Sequence, residues 1–452
     1  MNKYIINKIW LLVVFTAMTA QLHAQNGINS PYSQYGIGFN NMPYNFPALA
    51  ATGGVAYTRA ASNMINPFNP ASYATINKET FVFDMGLSID MTKLHSNDAS
   101  LYDADGNLGY LSFAFPITRW WKTALGIMPY SDVNYASTKQ STLTLGGEVK
   151  TVYEGTGGVS QLFWGNGFNI LSSANDATKP ALRAGFNINL LYGNITRAAT
   201  YDFVANDTTY MMNSRRQKDS YIKNLLFDFG LQYDQPVGDK HHLSLALTMT
   251  PHRLMSINEN ALVYTFVRNA STEYMRDTIF PAAGEDSEFQ SNLEQPFTTG
   301  IGISFQRDNL WLIAADATFS AWSRLKYSED TEHAIFGNST LQYSNSQRYA
   351  IGLQLLGDKN AANYIRRITF STGFHYESGR LNLSLSDGNS YQLNEWGFGL
   401  GVSLPMRKGR SVLNITTSYS SFGTADLIRR DLFSIGISVG SCESWFVKRK
   451  FN

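Results

Sequence analysis

The 452-residue sequence predicts an all-β fold, a transmembrane antiparallel β-barrel of about 14 strands with an N-terminal plug. Three observations carry this: stretches of alternating apolar and small or polar residues recur, the linkers between them alternate short with long, and charge is scarce. Four late stretches show the alternation best. Trp396, Phe398, Leu400 and Val402 interleave with Gly397, Gly399, Gly401 and Ser403; Phe433, Ile435, Ile437 and Val439 with Ser434, Gly436, Ser438 and Gly440. Tyr349, Ile351, Leu353 and Leu355 interleave with Ala350, Gly352 and Gln354; Ile368, Phe370, Phe374 and Tyr376 with Thr369, Ser371, Gly373 and His375. Side chains on a strand point alternately to its two faces, so each stretch offers one face to lipid and the other to a lumen. The chain is 44% hydrophobic, 13% aromatic and only 16% charged, against about 25% charged in an average soluble protein. Apolar side chains facing lipid and aromatic girdles at both interfaces account for both departures. A large β-sandwich enzyme is the competing reading.

The amino terminus reads as an address. Lys3 and Lys8 form a positive region, Ile9 to Ala20 an apolar core, and Leu22-His23-Ala24 ends in a small residue before Gln25. This is the layout of a secretory signal peptide over residues 1–24, cleaved after Ala24. No cysteine near that site offers a lipid anchor, and no later run of about 18 apolar residues offers a membrane helix. The expected location is the cell outer membrane. Without Lys3 and Lys8, the 36 Lys+Arg fall to 34, against 35 Asp+Glu, so no overall field points to nucleic acid or acidic polymers. Cys442 is the single cysteine and reads as a small packing residue.

Strands are expected near residues 80–90, 107–117, 120–131, 147–167, 181–202, 220–235, 241–265, 294–307, 310–326, 342–356, 364–379, 391–405, 411–420 and 431–447, an even count as single-chain bacterial barrels require. Short turns rich in Pro, Gly, Asp and Asn fall at Pro116–Arg119, Pro236–Lys240, Arg307–Asn309 and Met406–Arg410, as periplasmic turns do. Longer polar linkers at 91–106, 203–219, 266–293, 327–341 and 421–430 read as extracellular loops. The linkers at 168–180 and 357–363 are long for the periplasmic side. Residues 80–452 thus form the barrel.

Residues 25–79 do not read as wall. Prolines at 31, 43, 47, 67 and 70 and an Ala/Gly-rich run from Ala48 to Ala61 make poor central strands. Fourteen strands enclose a space between that of a side-chain-filled eight-stranded barrel and an open porin, so an irregular segment of small residues suits a plug, or hatch. Tyr32, Tyr35, Phe39, Tyr44 and Phe46 argue for its burial over a disordered periplasmic tail.

Gly53-Gly54-Val55-Ala56 followed by Asn69-Pro70-Ala71 resembles the hatch signature of the FadL/TodX long-chain fatty acid transporter family. The opening Asn29-Ser30-Pro31-Tyr32-Ser33-Gln34-Tyr35-Gly36 and the ending Trp445-Phe446-Val447-Lys448-Arg449-Lys450-Phe451 resemble a FadL-like branch of outer membrane transport proteins. Asn66-Pro67-Phe68 doubles the Asn-Pro and departs from the simple motif. The resemblance implies a 14-stranded barrel with a hatch that takes up hydrophobic or amphipathic small molecules, leaving sideways through the wall. It also implies an alternative, since some FadL-like barrels serve type IX-like secretion systems as protein-binding or assembly components. Expected partners are therefore a hydrophobic small-molecule ligand and outer membrane lipid, with secretion-system proteins in the alternative.

Among site candidates, Arg59 is the plug cation for a ligand head group or for anchoring the plug to the wall. Strand parity turns Asp316, Arg348, His375 and Glu377 inward, because a charge facing mid-membrane lipid costs about 2–4 kcal/mol for Arg or Lys. No sequence signature supplies a nucleophile for His375 and Glu377, so no enzyme and no cofactor are expected. Asp103-Ala104-Asp105-Gly106-Asn107 has the look of a calcium loop, but Leu101 takes the first ligand position and Ser112 that of the closing Glu, which leaves a loop turn. His241-His242 are adjacent on a strand and face opposite ways, which disfavours a shared metal. Gly155 to Gly158 lacks the Lys-Ser/Thr of a phosphate loop. Trp120-Trp121 and Trp445-Phe446 fit an interfacial aromatic belt.

Overall fold

The computed structural model describes residues 30–444, apart from 40–42, 97–98, 143–146, 172–178, 205–211, 270–271, 281–286, 309, 325–339, 359–360, 385–388, 407–410 and 425. The signal-peptide and Trp445–Phe451 readings lie outside these residues. Six unbroken strands open the wall: β1 (Thr80–His95), β2 (Ser100–Pro116), β3 (Trp121–Thr142), β4 (Glu148–Leu171), β5 (Ala181–Val204) and β6 (Asn213–Val237). Proline then interrupts two wall strands, since it cannot donate to the ladder. β7 (His241–Thr250) resumes beyond Pro251 as β8 (Arg253–Asn269); after β9 (Thr272–Phe280), β10 (Glu288–Gln295) resumes beyond Pro296 as β11 (Thr298–Arg307). β12 (Trp311–Ser320) precedes three strands with short outer pieces: β13 (Thr340–Tyr343) with β14 (Ser346–Leu355), β15 (Thr369–Glu377) with β16 (Leu381–Ser384), and β17 (Ser390–Gln392) with β18 (Glu395–Met406). β19 (Ser411–Gly423) and β20 (Arg429–Ser444) complete 14 wall strands.

Every wall neighbour pairs antiparallel, and β1 closes on β20 in continuous register from Thr80↔Ser444 to His95↔Arg429. Ile351, Phe374, Phe398 and Leu400 are exposed on the outside, while Ala350 and His375 on the opposite parity are buried. The alternation therefore means lipid outside and lumen inside. The chain ends of the wall and the short turns at 117–120 and 238–240 share one rim, the periplasmic one.

The extracellular side departs from the sequence reading. Residues 91–106 are not a loop: β1 runs to His95, β2 starts at Ser100, and Asp103 and Asn107 pair with Thr92 and Ser88. Beyond the bilayer both faces of a strand meet water, so turn-like polar residues are tolerated in a paired hairpin. The same holds for the part of 203–219 that belongs to β6 and for 266–293, which contains β9 and most of β10. β12 stops at Ser320 and a 3-10 turn, Trp322–Arg324, follows where strand was expected to 326; another, Ile365–Arg367, precedes β15. β3 to β6 span 22, 24, 24 and 25 residues, whereas about 9–11 cross a bilayer. One side of the wall thus stands well above the membrane, and β12 and β14, with 10 residues each, do not.

The described residues between 30 and 79 occupy the lumen. Prolines that forbid strand here start turns instead: Pro31, Pro47 and Pro70 open a 3-10 turn, a one-turn helix and a second 3-10 turn at Pro31–Gln34, Pro47–Ala50 and Pro70–Thr75. Tyr32, Leu49, Val55, Ile65 and Tyr73 are fully buried. The fit to the wall is backbone against backbone. A Cβ at Gly399 would lie 2.0 Å from the Ala50 carbonyl oxygen, and across the lumen one at Gly185 would lie 2.4 Å from the Pro70 carbonyl carbon.

Candidate functional site: a partitioned lumen

Four inward side chains fasten the plug. Asp316 accepts from the Ala56 and Tyr57 amides at 2.6 and 2.9 Å. Arg348 donates to the Gly53 and Gly54 carbonyls at 3.1 and 3.0 Å and to the Tyr44 hydroxyl at 2.9 Å. Asn187 donates to the Pro67 carbonyl at 2.7 Å and accepts from Tyr73 at 3.1 Å. Thr416 donates to the Pro47 carbonyl at 2.8 Å. Buried plug backbone groups are satisfied by the wall, so displacing the plug leaves several orphaned.

The doubled Asn-Pro folds the plug on itself. Asn66 donates to the Ala56 and Arg59 carbonyls and accepts from the Phe68 amide. Asn69 donates to the Tyr57 carbonyl, and its side chain caps the turn that Pro70 opens by accepting from the Ala71 amide at 3.1 Å. Pro67 presents its carbonyl to Asn187. Arg59 reaches Gln354 on the wall; burial lowers its pKa to about 10, with Asp316 opposing the shift, so it stays cationic at neutral pH. The His375 ring lies 4.4 Å from that of Tyr44 between centroids, tilted by 32°, and Glu395 lies 3.8 Å from its Nε2. Glu377 stands opposite Arg348 in the register. Among the described residues the His375 ring nitrogens form no hydrogen bond, and Glu395 is the charged group that faces Nε2. Among the described residues, no three His, Cys, Asp or Glu side chains cluster as a metal site requires.

Sequence reasoning missed Tyr44 as a partner, Asn187, Gln354 and Glu395. Asn187 had a signal in its parity, but its plug partner is more than a hundred residues away.

Above the plug, the wall from β3 to β10 turns apolar side chains inward, where barrels of this kind are usually polar. Val133, Leu191, Ile195, Ile222, Ile257 and Leu293 form the heart of a packed cluster. Beside it the wall is unzipped. β2 and β3 pair only from Leu111↔Ile127 to Pro116↔Lys122, although both strands continue outward. A bulge at Pro129 reroutes β3, and the plug covers the edge it exposes: the Phe39 amide donates to the Asp132 carbonyl at 2.8 Å, the Asp132 amide to the Phe39 carbonyl at 3.0 Å, and Ser131 to the Ile37 carbonyl. Arg197 holds this strap by its Gln34 and Gly36 carbonyls.

Below the plug, the lumen opens as a cavity of about 1020 Å³ toward the periplasmic rim, its lining mixing charged and amide side chains with apolar ones such as Met64, Ile76, Leu312 and Leu356. Its walls include Gln232, His242, Ser304, Gln306 and Asn414.

The sequence matches the family described as BamG over residues 5–452, nearly the whole chain. This chain belongs to the BamG family. A comparison with curated proteins found no match. Among solved structures, this BamG-family chain is similar to the Ralstonia pickettii toluene transporter TbuX at 14% identity and a TM-score of 0.50, covering 88% of this chain and 97% of that one. A Pseudomonas aeruginosa FadL homologue gives 13% and 0.51, covering 88% and 98%, and the Pseudomonas putida toluene transporter TodX 13% and 0.50, again 88% and 98%. At these identities the likeness establishes the fold: a FadL-type outer-membrane barrel.

Proposed function

We propose that this BamG-family barrel passes a hydrophobic or amphipathic small molecule across the outer membrane, taking it in above the plug and releasing it sideways between β2 and β3. The observation that carries the reading is the apolar lumen cluster lying against an unzipped wall. Each buried methylene contributes roughly 0.8 kcal/mol, so an apolar lining captures chain-like or aromatic solutes that a water-filled pore would not favour. The edge covered by Phe39 and Ile37 requires only a short strap to move, while the plug stays fastened. TbuX and TodX, of the same fold, are toluene transporters. Uptake of labelled fatty acids, aromatics and bile-type amphiphiles by a deletion strain tests this: slower uptake than the parent supports it, and equal rates remove it.

A second reading, a protein-binding or assembly component of a secretion system, is favoured by the tall strands β3 to β6, which raise a paired sheet beyond the bilayer where a surface partner meets it. It predicts co-purification with a large exported-protein complex, and uptake unaffected by deletion.

A further inference from the structure

The periplasmic cavity has an uneven charge. Among the described residues its lining holds seven Lys or Arg and three Asp side chains. Five of the cations, Lys78, Arg119, Lys122, Lys179 and Arg183, come from one arc of the rim between the approach to β1 and the start of β5. Asp84 on β1 and Asp234 on β6 flank this arc, and the facing side of the rim presents Ser244, Ser304, Gln306, Asp308 and Arg367. Neighbouring strands lie about 4.8 Å apart, so the basic arc spans roughly 19 Å. One small anion touches only two or three donors. Arg183 is engaged by Asp234, so the open stretch runs from Lys78 to Lys122, roughly 10 Å, and matches carboxylates strung along an extended chain at about 3.3 Å per residue, some three residues.

Lys122 supplies a second observation. Its side chain is 3% exposed, its ammonium donates to the Arg119 carbonyl at 2.7 Å, and Lys78 and Arg183 repel it. Among the described residues Lys122 forms no ion pair, whereas Arg183 pairs with Asp234. An ammonium on the cavity lining, held by one carbonyl and set beside like charges, gains from an added anion, and the open mouth admits one from the periplasm.

We propose that this basic arc binds an acidic, extended peptide segment of a periplasmic partner. The site is independent of the passage above the plug, because the fastened plug lies between them. The test is fluorescence anisotropy of labelled hexaglutamate with the full-length protein in zwitterionic nanodiscs. Expected are saturable binding that weakens with salt and a loss of affinity of at least tenfold in both Lys122→Gln and the double variant Lys78→Gln/Arg119→Gln. Lys78 and Arg119 are exposed, so the double variant keeps its fold, verified by heat-modifiable gel mobility. Asp308→Asn should not weaken binding. The proposal is overturned if hexaglutamate does not bind, if hexaglutamine binds equally, or if the folded double variant keeps wild-type affinity. It is also overturned if inorganic phosphate at equal concentration displaces the peptide, marking a small-anion site, or if phosphatidylglycerol in the nanodisc does so, marking a lipid site.

Discussion

The two halves of the lumen are built from opposite chemistry on either side of one partition. Above the plug, β3 to β10 turn Val133, Leu191, Ile195 and Ile257 inward against an unzipped wall; below it, Gln232, Ser304, Gln306 and a basic arc surround an open cavity. An apolar solute is favoured more in the first than in the second, where charged and amide side chains share the lining, so the proposed path leaves sideways and not straight through the barrel. The difference teaches that the plug separates two compartments with different linings, to which we assign separate partners. A lateral route for apolar cargo and a periplasmic docking site for acidic chains are compatible because neither requires the plug to leave.

The largest expected effect comes from breaking the partition. Gly399→Leu forces a side chain into the space of the Ala50 backbone, and the plug should lose its seat at a cost of about 3 kcal/mol. Limited proteolysis should then cut within residues 30–79 and the urea midpoint should fall. Removing a fastener costs somewhat less: Asp316→Ala orphans the Ala56 and Tyr57 amides, about 2–3 kcal/mol, read from the same midpoint, with Asp316→Asn milder. Making the upper half resemble the lower sharpens the contrast differently. Leu191→Asn should slow uptake of a hydrophobic probe about tenfold, the equivalent of roughly 1.4 kcal/mol of lost apolar contact, and leave hexaglutamate binding unchanged. The smallest effect is expected outside the lumen, where Trp120 stacks on Phe168 at 5.9 Å and Trp121 on the same ring at 6.3 Å. Trp120→Ala should lower the unfolding free energy by less than about 1 kcal/mol, read from a small fall in the urea midpoint, with uptake unaltered.

The barrel was legible because lipid on one face and lumen on the other impose period two on every wall strand. Its extracellular height was not, since strands beyond the bilayer lose that pattern and Asp103 to Asn107 look like a turn. Inward parity named Asp316, Arg348, His375 and Glu377, but partners such as Glu395 and Tyr44 follow from register and from the plug's path, which alternation does not encode. The interleaved glycines had read as one half of a polar face; Gly399 and Gly185 are small because plug backbone lies against them. The unzipped seam left only a faint mark, Pro129 within an otherwise regular strand, because a strand pattern does not say where its neighbour stops pairing. Cys442 reads alike in both views: it sits opposite Val82 and packs against the plug-facing cluster.

Fixing the plug to the wall tests the partition most directly. A Cβ at Gly302 would lie 3.2 Å from Thr58 Cγ2, within reach of a disulfide, and 2.8 Å from Tyr57 Cβ and Asp316 Oδ1, which must shift to admit it. Thr58→Cys/Gly302→Cys in a Cys442→Ser background thus ties the two together, and Gly302→Cys alone in that background controls for the crowding. Uptake of labelled toluene and dodecanoate is then compared in oxidised and reduced cells, with the same background lacking the pair as the reference. Equal uptake with the plug locked is the predicted result; uptake that stops on oxidation and returns on reduction would contradict a fixed partition and a sideways exit.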